Sequence, residues 1–281
     1  MYVISAATGE FGRLVVDRLL ERVPAADVAV AVRQPARADD LAQRGIEVRY
    51  GDYDQPASLR AAYQGATRLL FISSPDIGPS RLVQHRNVLE AARDAAVGSV
   101  IYTSGLGADV VDEGVLGEHH TTEAALVNSG LPYTILRHPI YSDFFINPTL
   151  QAAMEAGEIT SSTGGRGLNT ATRADLAEAA AVVLTSTGQE ATAYDFTGRL
   201  WTYPELAAVL TDLRGGPVAY REVDHDEGII AMLGIGPLIR SGGFERQTGD
   251  LEQVLGHPPM SLPDAVSVTL TQAGQFPLSR R

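Results

Sequence analysis

Short apolar runs alternate with stretches of helical periodicity over the first two-thirds of the chain. Each run is almost wholly apolar and is followed by a helical pattern, which is typical of strands buried on both faces of a parallel sheet. The predicted strands are Tyr2–Ser5, Val28–Val32, Ile46–Arg49, Arg68–Ile72, Ser99–Tyr102 and Tyr133–Arg137. This pattern predicts an α/β fold, a Rossmann-type doubly wound parallel sheet.

The intervening helices are read from the same periodicity. Apolar residues recur at helical spacing between Phe11 and Val23 and predict an amphipathic helix after the first strand. Further helices are predicted over Ser80–Ala96 and Glu118–Ser129, and the second of these ends at Gly130, a common helix-terminating residue.

The pattern changes after Pro139, where a smaller α/β lobe is predicted. The features found there are a helix at Thr149–Ala156, a Ser/Thr/Gly-rich stretch at Thr160–Gly167, an alanine-rich helix at Arg173–Thr187, and strands at Ala193–Phe196 and Val218–Val223. The alanine-rich helix and the strand after it are expected to return to the main sheet. We therefore assign 1–140 to a nucleotide-binding domain, with 170–198 returning to it. The smaller substrate lobe is assigned to 141–169 and 199–281.

Composition excludes several kinds of chemistry. The formal net charge of −12 disfavours nucleic acid as a partner, because phosphate backbones attract clustered cations. All 22 basic residues are arginine and there is no cysteine, which excludes a lysine base, a Schiff base, disulfides and thiolate chemistry. No apolar run approaches the ~20 residues that cross a bilayer, and no signal-peptide layout is present. We expect a cytoplasmic protein that takes a small-molecule acceptor, binds no membrane and is compatible with a homodimer.

A glycine-containing loop directly after the first strand is the strongest local signal. It runs from Ala6 to Gly12 and leads into the first helix, where dinucleotide fingerprints occur. Gly9 would let the backbone approach a pyrophosphate, Gly12 would allow close helix–strand packing, and the helix amides would face the phosphates. Ala6 takes the place of the usual first glycine, so we expect a negative φ there. The alternative is a plain structural turn.

The residues that end the next strands would contact the rest of a dinucleotide. NAD sites usually carry an acidic residue after the second strand, whereas this chain has Arg33, which suits the 2′-phosphate of NADPH rather than NADH. Asp52 would lie beside the adenine, and Ser73 and Ser74 would line the middle of the cofactor. The alternatives are a solvated arginine and ordinary loop residues.

Several motifs, taken in order, resemble those of one family. They are Ala7–Gly12, Val32–Pro35, Gly51–Asp54, Ser73–Ser74, Glu118–Glu123, Ser129–Arg137, Thr172–Ala177 and Phe196–Gly198. The chain resembles the NmrA-like, atypical short-chain dehydrogenases/reductases, and within them the type-2 NAD(P)H:quinone oxidoreductases. The resemblance covers nearly the whole chain.

This resemblance implies an NADPH site whose nicotinamide lies near the ends of the fifth and sixth strands. The cofactor-binding residues that we predict, from the loop and from the resemblance together, are Ala6, Thr8, Gly9, Glu10, Phe11, Gly12, Arg33, Asp52, Ser73, Ser74, Thr103, Ser104, His138, Pro139 and Tyr141. The quinone reductases usually have Asn-Gly-Trp-Tyr where this chain has His138-Pro139-Ile140-Tyr141, which puts the substrate in question.

The residues available for catalysis differ from the usual Tyr-x-x-x-Lys pair. His119 and Glu123 occupy the matching positions on one helix face, and a glutamate would favour a protonated histidine. Hydride transfer to a quinone demands less, since protons come from water or His119. His119 and Tyr141 are the catalytic candidates. The alternative for His119 is a packing histidine, and a metal site is not expected.

Two functions are carried forward. The first is an NADPH-dependent oxidoreductase that transfers hydride to a quinone or a similar electron-poor molecule, with Tyr141, Phe144 and Phe145 as an aromatic wall or as a core seam. The second is a non-catalytic NADP(H)-binding redox sensor, which the missing Tyr/Lys pair and the altered His138–Tyr141 segment favour.

Overall fold

The computed structural model describes residues 1–272 and contains both helices and strands, as predicted. Its strands are β1 Tyr2–Ser5, β2 Val28–Val32, β3 Glu47–Tyr50, β4 Arg68–Phe71, β5 Val100–Gly105, β6 Tyr133–His138, β7 Ile140–Tyr141, β8 Glu158–Ser161, β9 Leu168–Ala171, β10 Thr192–Asp195, β11 Leu200–Trp201 and β12 Ala219–Glu222. Its helices are α1 Glu10–Leu20, α2 Asp39–Gln43, α3 Pro56–Ala62, α4 Pro79–Asp94, α5 Gly114–Val127, α6 Leu150–Ala156, α7 Arg173–Thr185, α8 Tyr203–Arg214, α9 Gly228–Leu233, α10 Gly236–Arg240, α11 Asp250–Leu255 and α12 Leu262–Gln272.

Seven of the strands in residues 1–272 form one sheet in the order β10-β6-β5-β4-β1-β2-β3. All of its pairings are parallel, so the predicted Rossmann-type sheet is confirmed. The chain builds outward from β1 to β3 and then resumes on the other side of β1 with β4. Such a reversal of strand order opens a crevice at the carboxyl ends of the strands, where ligands of this fold bind.

The central strands are apolar on both faces because helices cover both. All five residues of β2 are buried, and α1 packs through Val15, Val16 and Leu19. Tyr63, Phe71 and Tyr102 fill the main cluster from neighbouring elements. Burying side chains of this size stabilises the fold by about 1.5–3 kcal/mol each, before the entropy cost of ordering them.

The chain divides into two compact units. The first, which we call the sheet unit, consists of Met1–His138, Ala174–Phe196 and Gln253–Gly256. The second unit consists of Pro139–Arg173, Thr197–Glu252 and His257–Arg281, and is described as far as residue 272. It has its own core, a three-stranded sheet in the order β11-β9-β7, and a parallel pair of β8 and β12.

The predicted Ser/Thr/Gly-rich stretch in the second unit proves to be partly strand. β8 enters it, and Ser161, Ser162 and Thr163 are buried although they are polar. Their hydroxyls find partners: Ser161 bonds the Tyr220 hydroxyl at 3.2 Å, and Ser162 donates to Asp226 at 2.9 Å. A period-2 apolar pattern does not reveal a strand whose inward side chains are hydroxyls. Among residues 1–272, no helix is both long and apolar enough to cross a membrane.

Candidate cofactor site and active site

Gly9 and Gly12, at the junction of the first loop and α1, differ in how much space the protein leaves for a Cβ atom. Gly9 has φ −74° and ψ 161°, and a Cβ there would meet only the Ala6 carbonyl oxygen, at 3.5 Å. A Cβ on Gly12 would lie 2.7 Å from Ala7 Cα and 2.9 Å from the Ala6 oxygen. Gly12 is therefore required by the packing of α1 on β1. Gly9 has space on the protein side, so the packing of this chain gives no reason for a glycine there.

The backbone conformation of Ala6 differs from the one we expected. We expected a negative φ at this position, but φ is +51°. The turn requires the left-handed conformation because the Ala6 amide donates to Ala31 at 2.9 Å while its carbonyl accepts from Gly9 at 3.2 Å. For an alanine this conformation costs about 1–2 kcal/mol. The backbone thus keeps the geometry that a first glycine would supply, and the chain sustains the strain.

The start of α1 offers backbone donors. Glu10 begins the helix, and its N-cap residue, Gly9, has no side chain with which to cap it. The first amides of a helix lack intrahelical partners and carry a partial positive charge, which suits phosphate oxygens. Thr8 is half-buried and Glu10 is exposed, whereas Phe11 is buried, with its ring centroid 5.3 Å from that of His138 in an edge-to-face arrangement. The Phe11 side chain therefore packs inside the protein and is not available to a ligand.

Arg33 follows β2 directly and is exposed. Within residues 1–272 its guanidinium makes no hydrogen bond or ion pair, in contrast to Arg13 and Arg44, which pair with carboxylates at 2.6 Å. A charged group that is held at the end of the second strand and has no protein partner is suited to bind an anionic ligand.

The loops after β3 and β4 are fastened to each other across β1. The Tyr53 hydroxyl contacts Ser5 Oγ at 2.5 Å and donates to the Ile72 carbonyl at 2.7 Å. Asp52, half-buried, accepts from the Asp54 amide at 3.1 Å in a local turn. Burial raises the pKa of the Tyr53 hydroxyl, so it stays protonated and serves as a bridge between strands.

Ser73 and Ser74 have different surroundings. The Ser73 amide donates to Thr103 Oγ1 at 2.9 Å, so the loop after β4 is bonded to β5. Ser74 is buried: its hydroxyl donates to Gln84, and its amide donates to His85 Nε2 at 3.0 Å. The hydroxyl of Ser74 is therefore turned into the protein, and the partly exposed Ser73 is the better ligand contact.

His119 is held in one protonation state by its neighbours. Arg81 Nη2 lies 2.9 Å from His119 Nε2, and the Tyr102 hydroxyl lies 2.7 Å from His119 Nδ1. Because a guanidinium only donates, Nε2 must accept, and the ring proton lies on Nδ1 and points to Tyr102. Burial and then the Arg81 charge lower the pKa of His119 well below its usual value. A neutral histidine with both nitrogens engaged is the packing alternative, and it has no free proton for a substrate.

Glu123 does not support His119 as the sequence pattern implied. Its carboxylate accepts from Ser104 Oγ at 2.5 Å and from Arg137 Nη2 at 2.7 Å. Arg137 also bonds Asp195 at 3.2 Å, and these contacts raise its pKa despite partial burial. The expectation that Glu123 would favour a protonated His119 is wrong, because the guanidinium of Arg137 takes up the carboxylate. Ser104 is buried in the same network.

The sequence analysis missed the polar residues of α4. Arg81, Gln84 and His85 are all buried, and they connect the loop after β4 with α5. Their spacing of three and four residues places them on one helix face. A polar stripe at that spacing, within a helix expected to pack on a sheet, was the signal available.

The second unit holds the aromatic residues of the predicted wall in two separate places. Tyr141 and Phe144 stack with ring centroids 6.1 Å apart, and the Arg173 guanidinium lies 4.7 Å from the Tyr141 ring. Phe145 is buried in the core against Trp201. Burial raises the pKa of Tyr141 to about 12, so its hydroxyl remains protonated at neutral pH. Nowhere in residues 1–272 do three or more potential ligands gather as a metal site would need.

Known proteins resemble this chain over nearly its whole length. The NAD(P)H-binding family matches residues 6–187. Quinone oxidoreductase 2 of Escherichia coli is 38% identical over 281 residues, which is 95% of this chain and 98% of that protein. An NmrA-like family domain-containing oxidoreductase of Aspergillus flavus is 30% identical, with coverage of 96% and 95%.

Solved structures show the same likeness. The Citrobacter triphenylmethane reductase complexed with NADP(H) superposes with a TM-score of 0.90 at 36% identity, covering 96% of this chain and 100% of that one. The Escherichia coli NADPH-dependent quinone oxidoreductase complexed with NADPH superposes with a TM-score of 0.87 at 37% identity, covering 95% and 99%.

Proposed function

The chain belongs to the NAD(P)H-binding family of NmrA-like oxidoreductases, and on that premise we propose that it uses NADPH to reduce quinones or similar flat, electron-poor acceptors. Relatives that cover nearly the whole chain are named as a quinone oxidoreductase and a triphenylmethane reductase, and both solved structures hold NADP(H) or NADPH. The enzyme is thus an NADPH-dependent reductase with a small-molecule acceptor. These relatives favour the enzyme over the sensor.

The residues present fit NADPH. The observation that carries this is Gly9, a glycine that the packing of the chain does not require and that stands at the N-cap of α1. A backbone without a Cβ at this place lets phosphate oxygens approach the amides closely. Arg33 adds, at the end of β2, a guanidinium that has no partner among residues 1–272. We propose that residues 8–12 bind the pyrophosphate and that Arg33 binds the 2′-phosphate.

The class of acceptor is inferred from the chemistry that the side chains of the site can and cannot supply. NADPH supplies a hydride when bound. His119 is fixed as a neutral partner of Arg81 and Tyr102, so we assign it to positioning rather than to proton transfer. A quinone needs no protein acid to accept a hydride, because the negative charge that forms on the reduced quinone is delocalised and water supplies the proton. We retain Tyr141 as the candidate hydrogen-bond donor to the acceptor, since its hydroxyl stays protonated.

The remaining predictions about the site keep their status as proposals. We propose that Ser73 lines the middle of the cofactor and that Thr103, Ser104 and the His138–Tyr141 loop lie near the nicotinamide. The second unit is proposed as the substrate lobe. A cytoplasmic location and a homodimer stay predictions.

Arg33→Ala tests the cofactor assignment. Loss of a charged hydrogen-bond partner of the 2′-phosphate should weaken NADPH binding by about 1–3 kcal/mol and leave NADH binding unchanged. Isothermal titration with each nucleotide measures both. Arg22→Ala is the matched control, because Arg22 is also exposed and follows the far end of α1.

The reaction itself is tested by NADPH oxidation with a panel of quinones. Turnover with at least one quinone is expected of the wild type. NADPH binding without turnover on any acceptor would favour the sensor instead, and equal losses for NADPH and NADH in Arg33→Ala would contradict the 2′-phosphate assignment.

A further inference from the structure

The turn that carries Arg33 is tied to the helix of the phosphate loop. Arg13, on the first turns of α1, donates from Nη2 to the Arg37 carbonyl at 2.7 Å. The same guanidinium pairs with Asp40 of α2 at 2.6 Å. The segment between β2 and α2 contains a single tight helical turn, Pro35–Ala38. In it the Arg37 amide donates to the Gln34 carbonyl at 3.0 Å. One side chain therefore links the start of α1 to the turn after β2.

Arg37 presents a second guanidinium on this turn. Its main chain is engaged by Arg13 and Gln34, but its exposed side chain makes no hydrogen bond or ion pair with any described residue. Arg33 is in the same state four positions earlier. A phosphate monoester carries close to two negative charges at neutral pH and three acceptor oxygens, which is more than one guanidinium satisfies.

Arg13 itself brings no uncompensated charge to the turn. The Arg13 guanidinium holds the pKa of Asp40 below its usual value, so the pair is ionised on both sides and electrically neutral through the neutral pH range. Any effect of Arg13 on an anion bound to the turn must therefore come from the position it gives to Arg37 and not from attraction.

We propose that Arg37 is a second specificity-determining residue for the 2′-phosphate and that Arg13 is a positioning residue that holds the Arg37 turn in place through its carbonyl. The inference rests on the proposed NADPH site. On this inference the preference for NADPH depends on the guanidinium groups of Arg33 and Arg37 and on the hydrogen bond from Arg13. Through α1, that bond connects the loop proposed for the pyrophosphate with the turn proposed for the 2′-phosphate.

The test compares dissociation constants for NADPH and NADH in four variants of the full chain. Arg37→Ala should weaken NADPH binding about tenfold, since a charged hydrogen bond is lost, and leave NADH within about twofold. Arg13→Ala should weaken NADPH by about three- to tenfold, again without an effect on NADH. Arg13→Lys, which keeps one donor and the charge, should recover part of the loss.

Arg44→Ala is the matched control. The Arg44–Asp17 pair is equally short, at 2.6 Å, similarly exposed, and also joins α1 to the segment after β2, but it contacts no backbone of the Arg37 turn. It should change neither constant. A thermal unfolding scan checks that each variant is folded, and Arg13→Lys compared with the wild type carries the test of Arg13 if Arg13→Ala does not fold.

The outcomes separate this inference from the proposed function. A wild type that binds neither nucleotide overturns both. A wild type that prefers NADPH, with Arg37→Ala binding NADPH normally, overturns the role of Arg37 alone. Equal losses for NADPH and NADH in Arg13→Ala show that Arg13 merely holds the fold, and they overturn its role in specificity.

Discussion

Adding a methyl group at Gly12 should damage the fold. The new Cβ would lie 2.7 Å from Ala7 Cα and 2.9 Å from the Ala6 oxygen, about 1 Å inside a normal carbon–carbon contact. Both neighbours are backbone atoms, so relief requires α1 to move away from β1. Overpacking of this kind typically costs about 1–3 kcal/mol, and we expect Gly12→Ala to lower the free energy of unfolding by that amount.

The same methyl group at Gly9 should leave the fold intact and weaken binding. Its only close neighbour would be the Ala6 oxygen at 3.5 Å, and φ of −74° suits alanine. Alanine restricts the unfolded chain, so stability should stay level or rise by about 0.4–1 kcal/mol. If phosphates approach this backbone, the methyl group displaces them, and NADPH affinity should fall about tenfold, or about 1.4 kcal/mol.

The pair is measured by urea unfolding, followed by far-ultraviolet circular dichroism, and by NADPH titration of each variant. Each glycine thus serves as the other's control. A Gly12→Ala variant as stable as the wild type would show that α1 does not pack on β1 as closely as described. A Gly9→Ala variant with unchanged NADPH affinity would refute the approach of the phosphates at this residue.

Two further predictions concern stability. Ala6→Gly should raise the urea midpoint, because it removes left-handed strain of about 1–2 kcal/mol and loses only about 0.4–1 kcal/mol through the greater entropy of the unfolded chain. Ala96→Gly, at the same φ of 51°, is the control. A lower midpoint in both variants would contradict the strain argument. Acid should destabilise the fold already below pH 6.5, because burial lowers the pKa of His85 and of His138 to about 3 and that of His119 well below its usual value, so that the unfolded chain binds protons that the folded chain refuses. Each histidine contributes up to about 1.4 kcal/mol per pH unit between its two pKa values, and equal urea midpoints at pH 7 and pH 5 would disprove their burial as neutral rings.

The main sheet was predictable because its signal is local. β1 and β2 have the predicted bounds, since each is an apolar run that ends at a turn-forming or charged residue. β5 continues to Gly105, beyond the predicted Tyr102, because Thr103 and Ser104 find hydrogen-bond partners on neighbouring elements. Polar strand ends of this kind depend on partners far away in sequence, and a pattern along the chain does not show them.

The features of the site that depend on backbone packing could be predicted from the sequence. The features that depend on side-chain partners far away in the chain could not. Gly12 followed from the motif, because close packing at that position leaves no space for a side chain. The protonation state of His119 did not follow, because it is set by Arg81, 38 positions earlier in the chain. The sign of φ at Ala6 was wrong for a related reason: the Ala6 amide donates to Ala31, 25 positions later in the chain, and this hydrogen bond outweighs the intrinsic preference of alanine.

The division of the chain has a consequence for protein engineering. The polypeptide leaves the sheet unit after His138 and re-enters it at Ala174, and only then supplies β10, the edge strand beside β6. A gene cut after codon 138 would therefore release a domain whose sixth strand has an open edge, and such an edge invites aggregation. Replacement of residues 139–173 with both crossing points kept would retain β10 beside β6, but it would also remove β8 and β9, which pair with β12 and β11 of the second unit.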